Sequence, residues 1–395
     1  MSAAAAPRLW PYAALSAGYF AHIGFFNPYL PLWLQQLGYG VWAIGLLTAL
    51  QSATRVFAPW LWASLSDRHG DPLRWLRWCA SAALLLTLGL WWQPWPGWLP
   101  VVLLLLFTHT SGMMPLSEAA LAHAVSQHGG FDAARYGRIR LWGSLGFLVT
   151  VLLAGYVFER TGMGSFPLWA SATLALVLLA VWRLPPLAPR HLGATQALPT
   201  PALRQVLRQP AVLWFGAALY GHVLAHVFIY IFFSLYLDQL GYGKGTIGAL
   251  WAVAVVVEIG WFFTQGRWLP RFSDGQWLLV AALLTALRMA ATAWGAHELA
   301  WLVAAQVVHA ITFAAHHTVC IGWINRHFPG ALRARGQALY AVVGYGLAGV
   351  TAGAVGGAIS VHWGLSAVFV AGMVAALLAA ACALQLARHE HPVPR

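Results

Sequence analysis

Ala80-Ser81-Ala82-Ala83-Leu84-Leu85-Leu86-Thr87-Leu88-Gly89-Leu90 carries no charge, and nor does Trp98-Leu99-Pro100-Val101-Val102-Leu103-Leu104-Leu105-Leu106-Phe107, which follows a short stretch rich in Trp and Pro. Two such runs in close succession read as neighbouring membrane spans joined by an interfacial turn, because Trp at positions 91, 92, 95 and 98 suits the headgroup region. Outward from there the pattern repeats through the whole chain of 395 residues, 60% of them apolar and only 8% charged. A soluble fold of this size would need about a quarter of its residues charged. The expected fold is therefore an all-α polytopic membrane protein, since lipid offers the backbone no partners and the alternation of a barrel strand is missing.

Twelve helices are expected, near 10–34, 41–64, 73–92, 98–122, 139–158 and 166–184, then 209–236, 245–265, 275–292, 298–322, 335–358 and 363–385. The first doubles as the insertion signal, because no small-residue processing site stands where a cleavable leader needs one. Cys79, Cys320 and Cys382 all lie in apolar stretches and imply no disulfide framework. The net charge of +12 is a matter of placement. Of 22 Lys and Arg, Arg55 and Arg288 lie inside spans and only Arg160 and Lys244 fall on one face; the rest gather on the other. By the positive-inside rule both termini are cytoplasmic, as in a bacterial inner-membrane protein, and the basic face attracts anionic lipid with no call for nucleic acid.

Pro185, Pro186, Pro189, Pro199 and Pro201 mark the one long connection of non-membrane composition, giving an N-terminal half at 1–184, a cytoplasmic linker at 185–208 and a C-terminal half at 209–395. An internal repeat agrees. Gln36-Leu37-Gly38-Tyr39-Gly40 with Ile44-Gly45 recurs as Gln239-Leu240-Gly241-Tyr242-Gly243 with Ile247-Gly248, an offset of 203 (239 − 36). Two parallel six-helix repeats suit a transporter that rocks about a central site.

Charges at mid-span are costly, about 2.5–3.5 kcal/mol each on insertion scales, so Glu118, Glu258, Arg55 and Arg288 should face the bundle interior or an aqueous cavity. A Glu that alternates between solvated and desolvated surroundings can carry a coupled proton, which makes Glu258 the leading candidate, with His309 as modulator and Arg288 as the partner that competes with the proton. Arg55 or Arg288 could instead fork onto a substrate carboxylate. Asn27, Gln51, His226 and His317 are further polar candidates for a cavity wall, although Asn and Gln equally bond helix to helix. The adjacent histidines 316 and 317 point about 100° apart on a helix, and no metal site or cofactor is expected. Nor is an enzyme, since no phosphate loop, dinucleotide fingerprint or metalloprotease motif is present.

Ala63-Ser64-Leu65-Ser66-Asp67-Arg68-His69-Gly70, between the second and third spans, resembles the signature loop of the major facilitator superfamily. Ala63 stands for the usual first Gly, and Asp71 and Pro72 replace the basic residues that usually follow. Tyr136-Gly137-Arg138-Ile139-Arg140-Leu141-Trp142-Gly143-Ser144-Leu145-Gly146 resembles the start of helix 5 in the phenylpropionic acid transporter and lactose permease group. That resemblance implies a major facilitator fold, gating contacts from Ala63, Asp67, Arg68 and Gly70, and pairing of Arg140 with Glu118, itself a second proton-coupling candidate. Thr312 takes the place of the acid that lactose permease carries after its helix 10 histidine. The implied activity is proton-coupled uptake of a small organic solute such as an aromatic carboxylate by a functional monomer. Sugar or nucleoside uptake, drug or metabolite export, and a non-transporting sensor are the alternatives.

Overall fold

A backbone in hydrocarbon must bond to itself, and this chain does so by remaining helical almost throughout. The computed structural model describes residues 9–69, 71–125, 133–186, 203–328 and 332–389. The first six long helices are α1 (Trp10–Gln36), α2 (Val41–His69), α3 (Pro72–Thr87, continued by the turn Leu88–Leu90), α4 (Trp98–Val125), α5 (Ala133–Thr161) and α6 (Phe166–Trp182). They are followed by α7 (Pro210–Gln239), α8 (Lys244–Trp268), α9 (Asp274–Gly295), α10 (Leu299–His327), α11 (Arg335–Trp363) and α12 (Leu365–His389). Eleven of these twelve, all but α1, are long and apolar enough to cross a membrane by length and composition. The helix α1 has the length, 27 residues, but dilutes its apolar character with Pro28, Pro31, Asn27 and His22. The all-α polytopic fold expected from the sequence is the fold observed.

Several boundaries differ from the expectation. The helix α2 runs to His69, so the signature segment from Ala63 onward forms its last turns instead of a loop, and α5 begins at Ala133, six residues before 139. Charged residues end a hydropathy run sooner than they end a helix, because at the interface an Arg can reach water while its backbone stays in the spiral. A second difference is invisible to hydropathy. Ala310–Ala315 within α10 and Ala341–Leu347 within the first half of α11 are π-helical. Such turns widen the helix by one residue and concentrate at functional sites.

The chain folds as two compact units, Met1–Trp33 with Thr54–Leu192, and Leu34–Ala53 with Gly193–Arg395. In the first, α3 packs on α4 and α6, and Phe25, Phe26, Phe158 and Phe166 form a fully buried ring cluster. In the second, α12 lies along α7 and α9. Small residues permit that approach: a Cβ on Gly221 would stand 2.9 Å from the Ala375 carbonyl, and one on Gly275 2.7 Å from Ala387. The first half of α2 meets α11 within the second unit where Gly45 and Gly353 touch backbone to backbone. Most of the expected linker falls outside the described residues, of which Leu203–Leu207 form a short helical turn.

The repeated pentapeptide gives the same turn twice. At the end of α1, Gly38 has φ 87° and Gly241 at the end of α7 has φ 86°. Gly38 N–H donates to Gln35 O (2.9 Å) and Tyr39 N–H to Leu34 O (3.1 Å), and Gly241 N–H donates to Asp238 O (3.0 Å) and Tyr242 N–H to Leu237 O (3.0 Å). This pair of bonds is the Schellman motif, which needs a left-handed residue and therefore favours Gly. The helix that follows starts identically, with Ile44 N–H on Gly40 O and Ile247 N–H on Gly243 O, both 3.0 Å.

Candidate functional site

The second unit buries a cation. Arg288, in the middle of α9, is 2% exposed, and α7 and α10 turn four uncharged acceptors toward it. Its Nη2 donates to Gln306 Oε1 at 2.7 Å, and its Nη1 is shared among His309 Nδ1 (3.0 Å), His226 Nε2 (3.4 Å) and Thr312 Oγ1 (3.4 Å). The Nε–H is buried without a partner. Thr312, where a related permease has an acid, thus contributes a neutral hydroxyl, and the guanidinium is held by dipoles. Hydrogen bonds to a charged group contribute about 1.5–3 kcal/mol each, enough in number to offset the cost of the buried charge.

Glu258 on α8 approaches this cluster from the opposite side of His309, with its Oε2 3.6 Å from His309 Nε2 and its side chain 22% exposed. Arg288 and Glu258 therefore do not meet as a direct ion pair; the imidazole of His309 stands between them. Gln306, His309 and Thr312 are spaced three apart and share the side of α10 that faces Arg288, and the π-turn begins immediately after His309. His222 extends the cluster along α7. Its Nε2–H donates to the Thr312 carbonyl (2.7 Å), and its ring stacks on His316 at 3.7 Å and 9°. Farther along α10, His317 Nδ1 lies 2.9 Å from the hydroxyl of Tyr340, which lies 3.4 Å from that of Tyr345.

The first unit holds a second charged group. Arg140 Nε lies 3.6 Å from Glu118 Oε1, and the Arg140 guanidinium covers the Phe20 ring at 4.0 Å. The Tyr136 hydroxyl donates to Glu118 Oε2. A small pocket of about 20 Å³ opens beside Glu118, lined by Tyr12, Ser16, Tyr19, Phe20 and Ser117 among others. Arg55, half-buried on α2, makes no hydrogen bond or ion pair with a described residue.

Of the sequence candidates, the structure thus gathers Glu258, Arg288, His309 and His226 into one network and leaves His317 at its margin. Glu118 and Arg140 form a separate pair. Asn27 and Gln51 are half-buried on α1 and α2 and have partners of their own. Ala63 and Arg68 sit in the last turns of α2, with Arg68 exposed, while Gly70 and the side chain of Asp67 lie outside the described residues. Sequence reading undervalued Gln306, Thr312, Tyr136 and Tyr340. The signal for the first two was a polar residue every third position through an apolar span; a lone Tyr in such a span carries none.

Comparison with known proteins bears on both halves. The family profile described as MFS_1 like family matches residues 9–371. The chain is 28% identical over 343 residues to the probable 3-phenylpropionic acid transporter of Escherichia coli (strain K12), covering 84% of this chain and 86% of that one. It is also 28% identical over 355 residues to the maltose permease of Geobacillus stearothermophilus, covering 88% and 86%. Among solved structures, the nucleoside transporter NupG superposes with a TM-score of 0.81 at 15% identity over 96% of this chain and 99% of that one. A bacterial homolog of the human lysosomal transporter Spinster, inward-facing and occupied, superposes with a TM-score of 0.74 at 14% identity over 98% of each. At such identities the structures speak for the fold alone.

Proposed function

The chain belongs to the MFS_1 like family and is a secondary transporter of a small solute in the inner membrane; from that premise we propose that the solute is a neutral, hydroxyl-bearing ring compound, a sugar or nucleoside, taken up with protons. The observation that carries the choice is the engagement of Arg288. A substrate carboxylate would need a free guanidinium edge, and this one is 2% exposed and held by four neutral acceptors. Accessible groups near it are the carboxylate of Glu258, 22% exposed, and the half-buried His317, which suit hydroxyl donors better than anions. The likeness to a maltose permease supports the same class, which ranks it above the aromatic carboxylate favoured by the sequence.

Glu258 is the proposed proton carrier, alternating between His309 as partner and a bound proton as access changes. The halves 1–184 and 209–395, joined by 185–208, are the proposed moving parts, and the monomer is the proposed working unit. A second reading keeps the carboxylate, because Arg55 is half-buried and makes no hydrogen bond or ion pair with a described residue, and a relative is named for 3-phenylpropionic acid. The deciding experiment imposes an inward proton gradient on proteoliposomes and offers radiolabelled nucleosides, disaccharides, aromatic carboxylates and lipophilic cations. Gradient-driven accumulation of a sugar or nucleoside is expected. Accumulation of carboxylates alone, lost in Arg55→Gln, would establish the second reading, and extrusion of cations would establish export.

A further inference from the structure

Arginine has donors and no acceptor, so every atom that its guanidinium touches must offer a lone pair. Arg288 Nη1 stands 3.0 Å from His309 Nδ1. That ring nitrogen is therefore unprotonated, and the one proton of a neutral His309 sits on Nε2, the atom that faces Glu258 Oε2 at 3.6 Å. The same argument applies to His226, whose Nε2 receives the other share of Nη1 at 3.4 Å. Its proton is displaced to Nδ1, a buried atom that has no hydrogen-bond partner. A neighbouring imidazole thus accepts an unfavourable tautomer, as expected if the guanidinium dictates the pattern.

We propose that Arg288 is a positioning residue that fixes His309 as the neutral Nε2–H tautomer, presenting a single hydrogen-bond donor to Glu258 and closing the imidazole to the transported proton. Protonation of the ring would need Nδ1, which the Arg288 N–H occupies. The groups packed around this ring are few, and of the charged ones Glu258 alone favours a protonated ring, from the side away from Nδ1. Glu258 on α8 lies on the Nε2 side, His226 on α7 shares the same guanidinium, and α10 itself contributes only Gln306, Thr312 and the apolar ring of Phe313, which lies parallel to the imidazole at 5.0 Å and 5°. Gln306 takes the opposite arm of the guanidinium and keeps Nη1 aimed at the ring. The histidine then serves as a fixed support whose one N–H faces the Glu258 carboxyl at 3.6 Å.

The value of this support to coupling rests on the reading of Glu258 as proton carrier, but the tautomer does not, and the two are separable by experiment. The full-length protein, labelled with nitrogen-15 histidine and reconstituted in liposomes, is observed by solid-state NMR, with the His309 signals identified by their absence in His309→Gln. In the wild type the Nε2–H form of His309 should dominate by at least about tenfold from mildly acidic to mildly alkaline pH, the preference that one hydrogen bond to a charged group can sustain. Arg288→Lys, which keeps a donor, should retain it. Arg288→Gln should weaken the Nε2–H preference measurably and allow the doubly protonated ring to appear on acidification. A wild-type spectrum showing Nδ1–H, or an unchanged tautomer and acid response in Arg288→Gln, would overturn the proposal. If that variant fails to fold, the wild type and Arg288→Lys still decide it. Loss of proton coupling in Glu258→Gln bears only on the carrier.

Discussion

Among single residues, Glu258 carries the sharpest expectation. Gln preserves its size and the neutrality of a protonated carboxyl, so Glu258→Gln should abolish proton-driven accumulation while counterflow between equal pools persists. Substrate-induced alkalinisation outside proteoliposomes, recorded beside counterflow, tests this, and undiminished alkalinisation per substrate moved would remove Glu258 from the proton path. Glu118→Gln should lose its charge contact with Arg140, 3.6 Å away, and lower stability by no more than about 1 kcal/mol; a melting curve on purified protein measures it. The charged members of the site were legible because charge in lipid is costly wherever it occurs. Their partnerships were not. Mid-span depth alone left a direct pairing of Glu258 with Arg288 open, whereas the intervening ring of His309 depends on rotations about α8, α9 and α10 that hydropathy does not encode.

At the scale of elements, the two glycine turns make a matched pair of tests. A side chain at φ near 87° costs about 1–2 kcal/mol, and a Cβ on either Gly38 or Gly241 would meet open space. Gly38→Ala and Gly241→Ala should therefore lower thermal stability in detergent by similar small amounts, with no steric penalty added. Gly24→Val, by contrast, forces a side chain into the α1–α5 crossing, where even a Cβ would stand 2.6 Å from the Phe147 carbonyl. Overpacking of this kind costs about 1–3 kcal/mol or more, and the melting temperature should fall further than in either Ala variant. Helix number and order were legible from apolar runs, and the repeated pentapeptide announced its turns. The π-turns of α10 and α11 were not, because shifting one hydrogen-bond register changes neither composition nor period enough to register in a window.

For the whole molecule, the asymmetry of Lys and Arg predicts orientation. A reporter fused after Arg395 should be active only if it works in the cytoplasm, and Thr161→Cys, at the exposed end of α5, should react with an impermeant thiol reagent from outside. Labelling confined to the inner face would reverse the assignment. Five Gly/Ser residues inserted near Gly193 should leave transport largely intact, since lengthening a connection adds little closure entropy; loss of inserted protein would show that the segment is packed. The membrane class and the family were readable from the chain alone, while the solute was not, because its identity depends on which polar groups are free, and Arg288 proves to be engaged. The matched caps at Gly38 and Gly241 have a consequence for ancestry. If one duplicated gene gave rise to both halves, these turns are its best-kept fossils, and counting 203 onward from a common origin sets Arg55 against Glu258. A single ancestral position would then have diverged into a base in one copy and an acid in the other, dividing between two descendants a task that one residue type could not perform alone.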